Sequence, residues 1–300
     1  MGRARLWSVE GVGYARPIAL ALTYPRLAAR ALRLSGEIVR SFFYPQFENA
    51  LLGLRPVYGV DHPLDRLVPF DPSFVVKYLE FVRLWMASFY RLGRAYGGRA
   101  LTELCGYVES IRQLYAEAGE VYGSCHTTTI RPSKNYNLRF AIIHATDPHL
   151  NCVPSLHVLI VVANWAIARA FVRDLRGRGE FLSSSNESYL DTWLEVLRDE
   201  AVAITESILF VKQHSINCIG ASLFYLRRSG PRLADAELRE LVDDLFEGRC
   251  RSILGDSTVA ALRARALELY EELDAAWRAK PSLGWKGVLL DFIRNAPRRR

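Results

Sequence analysis

The chain has 300 residues, half of them hydrophobic and about a quarter charged. These proportions exclude a disordered or collagen-like polymer and leave room for one large domain or two small ones. The net charge of +7 comes from 39 basic against 32 acidic residues, and all but five of the basic residues are arginines. They are dispersed, so they read as solvated helix faces, with attraction to anionic lipid or nucleic acid as the sharper alternative. Cysteines 105, 125, 152, 218 and 250 are odd in number and contain no CxxC pair. That argues against a disulfide framework or a zinc ribbon and for reduced thiols.

From the amino terminus, Glu10 interrupts the first segment and the apolar run 18–22 is too short for a signal peptide. Leu6 stands where myristoylation needs Ser or Thr. Residues 74–92 place Val75, Tyr78, Leu79, Val82, Met86 and Phe89 on a 3.6-residue repeat with Lys77, Glu80 and Arg83 between them, which predicts an amphipathic helix. Residues 122–154 carry Gly123, a threonine run, Pro132, Pro148 and Pro154 together with five histidine or cysteine residues, and are expected to form a long functional loop. The cluster Cys125, His126, His144, His149 and Cys152 fits no usual zinc spacing.

Pro154 and Ser155 are helix-start signals before a helix over 158–171. Residues 176–188 read as a Gly/Ser-rich linker. In a continuous helix, Ser207 and His214 would lie within about 20° of each other, with Cys218 one turn further along the same stripe. The breaker Ser229-Gly230-Pro231 precedes three helical stripes: Leu238 to Phe246, Val259 to Trp277 and Trp285 to Ile293. The tail Arg298-Arg299-Arg300 is the one basic cluster. Neither 148–168 nor 207–226 is a convincing membrane span of about 20 apolar residues. The expected fold is all-α: a single helical domain over 1–300 with a core at 74–228 and a carboxy-terminal extension at 229–300.

Arg131-Pro132, then Pro154-Ser155-Leu156-His157, then Ser207 followed by His214 resembles the type 2 phosphatidic acid phosphatase and haloperoxidase superfamily. That family's motifs are KxxxxxxRP, PSGH and SRxxxxxHxxxD. The wording NCVPSLHV and KQH is most similar to the inositol phosphotransferase-like branch. The resemblance covers roughly residues 124–222 and implies that family's helical bundle.

It also implies a phosphohistidine mechanism, with His214 as nucleophile, His157 as general acid and base, and Arg131 and Ser155 holding the phosphoryl oxygens. No metal or cofactor is implied. The implied partner is a phosphorylated small molecule or a lipid head group, with peripheral membrane contact and no nucleic acid, and the implied location is cytoplasmic or peripheral to a membrane. The chain departs from the pattern at Ser124, Ile208 and Cys218, where the family has Lys, Arg and Asp. Lys134, Arg139 and Lys212 are offered in place of the lost cations. The Cys218 substitution weakens the orientation of the nucleophile, so two readings stay open: a phosphatase or phosphotransferase, and an inactive helical binding or scaffold protein.

Overall fold

The computed structural model describes residues 11–132, 136–229 and 233–299. The features read at 1–10, together with Lys134, Gly230-Pro231 and Arg300, lie outside the described residues.

Among the described residues the chain is all-α apart from one small sheet. Helices α1 (Ala15–Thr23) and α2 (Pro25–Ile38) run into a π-helical turn at Val39–Phe43 and then α3 (Tyr44–Leu52). The wide turn has a local cause. Pro45 lacks an N–H and its ring would clash with the carbonyl four residues back, and the chain absorbs this by lengthening the register, so Tyr44 N–H bonds to Val39 O. Glu37, buried at the turn, accepts hydrogen bonds from Arg40, Ser41 and Arg112. Burial pushes its pKa up, but the Arg40 and Ser41 hydrogen bonds and the nearby guanidinium charges outweigh that and hold it below the usual range. Gly119 lies so close to Ser41 that a Cβ there would collide with its side chain.

After β1 (Val57–Gly59), helices α4 (Val75–Tyr78) and α5 (Glu80–Tyr96) replace the single helix expected over 74–92, with a break at Leu79. The buried face also differs: Leu84, Trp85, Ser88 and Leu92 point inward, whereas Val82 and Met86 are only half-buried. Next come α6 (Leu101–Ser124) and β2 (His126–Thr128). The expected loop contains a helix, α7 (Leu138–Thr146), whose start is capped by Asn137 accepting from Arg139 N and Phe140 N.

Helix α8 (Leu156–Gly177) is the axis of the bundle. It is long and apolar enough to cross a membrane, but 83% of its apolar window is buried in this fold, against α5, α6 and α9 (Ser184–Phe210). Only a short connection separates α8 from α9, so most of the expected linker at 176–188 is helix. Asn164, on α8, donates to Ser88 Oγ at 3.1 Å and accepts from Tyr107 OH, which ties α5, α6 and α8 together in the core.

Helix α10 (Ile216–Arg228) ends the expected core, and the extension consists of α11 (Asp235–Asp244), α12 (Arg249–Leu254), α13 (Asp256–Ala279) and α14 (Gly284–Arg294). The last three stripes read from sequence correspond to α11, α13 and α14. The extension is part of the same core: α10 packs on α13 so closely that a Cβ on Gly220 would meet the Ala266 carbonyl at 2.7 Å. The tail forms β3 (Arg298–Arg299) and completes a sheet in the order β2-β1-β3, parallel on one side of β1 and antiparallel on the other. Arg299 pairs with Asp61 at 2.8 Å, so this part of the basic cluster is tied down rather than free.

Candidate functional site

The sheet positions the motif loop. Along β2, Thr127 N bonds to Leu150 O and Cys152 N bonds to Thr127 O. The Thr127 hydroxyl accepts from Val153 N at 2.8 Å. Tyr122 OH holds the Pro154 carbonyl, and Ser155 N donates to Ser222 Oγ on α10 at 3.0 Å. Held in this way, Ser155 caps α8 and accepts from Val158 N at 3.5 Å, so the positive end of the long helix dipole lies at the site.

His214 reaches the same place by a route that the helical stripe did not anticipate. Residues 207–218 are not one helix. α9 ends at Phe210, Lys212 adopts a left-handed φ of 56°, and α10 begins at Ile216. Lys212 N bonds to Leu209 O and Gln213 N to Ile208 O, the paired bonds of a Schellman helix stop, with lysine in the position that usually holds glycine. The stop turns His214 back toward α8, and its Nε2 lies 3.5 Å from Ser155 Oγ. The His157 ring lies edge-on to it with centroids 5.4 Å apart, and is stacked on Tyr78 and tilted against Phe81, each at 4.1 Å.

The two histidines line a small pocket of about 10 Å³, with Phe42 from the π turn, Asp147, His149, Asn151, Cys152 and Leu156. That volume holds about one water. Arg131 borders it, donating to the Asp147 carbonyl at 3.2 Å and to Gln213 Oε1 at 3.4 Å. The structure therefore brings together His157, His214 and Ser155, with Arg131 joined to the pocket through Asp147 and Gln213.

The remaining residues predicted from sequence lie elsewhere. Lys212 points away from the pocket and donates to the carbonyls of Asp65 and Val68, because its left-handed backbone aims the side chain at that loop. Ser207 bonds back within α9, to Ile204 O at 2.7 Å. Cys218 does not orient His214: its sulfur accepts from Ser215 N at 3.4 Å and caps α10. Arg139, on α7, is exposed.

Burial dominates the electrostatics. It drives the pKa of His214 down to about 4, opposed only by the Cys152 carbonyl, which acts as a favourable dipole without meeting hydrogen-bond geometry at Nδ1. His157 is pushed well below its ordinary value by burial and by His214. His149 is likewise pushed well below, by burial and by the positive charge of Arg131. Asp147 is pushed up by burial, against its bond from His149 N–H and the charge of Arg131. The thiols of Cys152 and Cys218 are also raised by burial and are neutral. At neutral pH the pocket thus contains uncharged imidazoles, with a guanidinium at its edge.

Sequence reasoning missed Phe42, Asp147 and Gln213, and considered His149 only as a metal ligand. His149 has a φ of 63° and hydrogen-bonds Thr129 Oγ1 at 2.9 Å. Among the described residues no three of His, Cys, Asp and Glu are arranged to hold a metal ion. Comparison with protein-family models, with curated proteins and with solved structures returns no match.

Proposed function

We propose that the pocket is a phosphoryl-transfer site, acting as a phosphatase or phosphotransferase on a phosphate ester. The observation that carries this reading is the convergence of the His214 and His157 rings with Ser155 at the amino end of α8, from segments far apart in sequence. The uncharged His214 ring has its lone pair available for attack. In the proposed reaction Nε2 bonds to phosphorus as the ester P–O bond breaks, and His157 gives its proton to the leaving oxygen. Water or an acceptor alcohol, deprotonated by His157, then attacks the phosphohistidine, releasing the phosphoryl group and restoring His214. His157 takes up a proton from solvent as the substrate binds, because a bound dianion raises the pKa of a buried imidazole. Arg131, Ser155 and the first N–H groups of α8 supply the charge and dipoles facing the phosphoryl oxygens. The pocket must widen to admit the phosphate, since it holds only about one water.

The test is a radiolabelled phosphate ester followed by an acid quench on ice and alkaline gel analysis. An alkali-stable, acid-labile label in the native protein, absent from His214→Ala, is expected; turnover unchanged in His214→Ala overturns the assignment.

A second reading, a helical binding protein without turnover, draws on the small volume of the pocket and on Cys218 capping α10 where the resembled family has its orienting aspartate. It predicts neither vanadate binding nor ester hydrolysis by the folded chain.

A further inference from the structure

Eleven of the 22 exposed large hydrophobic side chains among the described residues fall between Tyr14 and Leu54, on α1, α2, the π turn, α3 and the loop that follows. Leu32 is 75% exposed, Leu51 82% and Leu22 67%. Ile18, Leu22 and Leu32 edge an apolar groove of about 450 Å³ between α1, α2 and α5, floored by Trp85, Met86 and Phe89. Such a concentration of exposed apolar surface marks a contact face rather than ordinary scatter.

The same segment is basic. Residues 14–55 contain six arginines and two glutamates. Both glutamates are engaged: Glu37 by Arg40 and Arg112, and Glu48 by Arg55. Arg26 and Arg33 are exposed among the apolar side chains. Apolar residues interleaved with arginine, on helices whose charges leave no apolar window long enough to span, are the composition of a helical segment lying in a bilayer interface.

We infer that α1 to α3 form a membrane-seating face that inserts its apolar side chains among the acyl chains of an anionic bilayer, with the groove taking a lipid tail and the arginines meeting anionic head groups. Charge decides between a bilayer and a second copy of the chain. A twofold contact would set this arginine-bearing face against itself, whereas anionic lipid complements it. The face also adjoins the histidine pocket: the π turn that exposes Val39 and Phe43 carries Phe42, which lines that pocket. The inference does not depend on the chemistry proposed for the pocket, because its readout needs no turnover.

The experiment is flotation of the full chain with vesicles of phosphatidylcholine alone and of phosphatidylcholine with one quarter phosphatidylglycerol. Binding to the anionic vesicles that weakens as salt rises is expected. The double variant Leu22→Asp/Leu32→Asp should lose at least tenfold in vesicle affinity, with helical circular dichroism and melting unchanged because both side chains are exposed. Arg26→Gln/Arg33→Gln should lose several-fold and flatten the salt dependence. Acyl-brominated lipid should quench the tryptophan emission of the native chain more than that of Trp85→Phe. Failure of the native chain to bind anionic vesicles overturns the inference, as does equal binding by the leucine variant. A self-association seen by sedimentation and lost in that variant, without vesicle binding, assigns the face to a second copy and also overturns it.

Discussion

His214 should make the fold acid-sensitive by an amount that follows from its burial. Its folded pKa is about 4 against an ordinary 6.5, so between these values the unfolded chain binds a proton that the folded chain does not. Stability therefore rises with pH through this window and falls as pH drops through it. At about 1.36 kcal/mol for each tenfold change in proton affinity, the full loss is about 3.4 kcal/mol below pH 4. About 2 kcal/mol of it is already gone at pH 5. Urea unfolding of the native chain and of His214→Gln at pH 5, 6, 7 and 8 isolates this contribution. His149 and His157 are pushed down in both proteins, so the difference between the two curves belongs to His214 and its coupling to those rings. The native chain should lose about 2 kcal/mol more than the variant between pH 8 and pH 5. Parallel curves would mean that His214 titrates as if solvent-exposed, which would sink both the buried geometry and the argument for a nucleophile that stays uncharged in mild acid.

Two further substitutions separate structural from catalytic roles. Lys212→Met removes the two charge-assisted bonds to loop carbonyls that sustain the left-handed backbone, and should cost about 2–3 kcal/mol in urea unfolding. Vanadate affinity should be unchanged at temperatures where the variant is folded, and a selective loss of vanadate binding would put Lys212 back at the phosphate. Cys218→Asp places a carboxylate in a fully buried position whose thiol already feels the charges of Asp65 and Asp61. Burial raises the folded pKa of such a group, so the variant should be destabilised relative to the native chain by about 1–3 kcal/mol at pH 8 and recover toward pH 5. Equal relative stability at the two values in urea melts would refute this.

The carboxy-terminal helices were legible because their apolar stripes are spaced regularly: Leu238, Leu241 and Val242, then Val259, Leu262, Ala266 and Leu269, are buried as the 3.6-residue repeat requires. Ser155 was legible as a cap for the same kind of reason, since a serine after proline ahead of an apolar run satisfies free N–H groups locally. The end of α9 was hidden because its stop is a Schellman motif on Lys212. Sequence offers no glycine there, and the left-handed backbone is sustained by bonds from the lysine ammonium to a loop nearly 150 residues earlier. Ser215 was the available signal, being the cap that opens α10. Helix α7 was hidden because Leu138 and Ile142 face outward, leaving little of the amphipathic pattern. The sheet strands have only two or three residues each and are defined by their partners rather than by any alternation of their own.

The apolar half of the composition is distributed in a way that sequence alone could not resolve. Helix α8 has the hydropathy of a membrane span, yet its neighbours cover it, and in doing so they fix Ser155 and His157 at its amino end. The exposed apolar side chains are concentrated instead on α1 to α3, where the continuous helical stretch over 25–52 carries Arg26, Arg30, Arg33, Glu37, Arg40 and Glu48 and so lacks the roughly 20 apolar residues that a hydrocarbon core requires. The bilayer contact proposed for these helices is therefore in the plane of the interface, and it makes a demand on the bundle that a spanning helix would not. The core must hold together without lipid, as the buried Asn164, Ser88 and Tyr107 contacts around α8 allow. Membrane affinity must then change with the exposed leucines and arginines while the melting temperature does not.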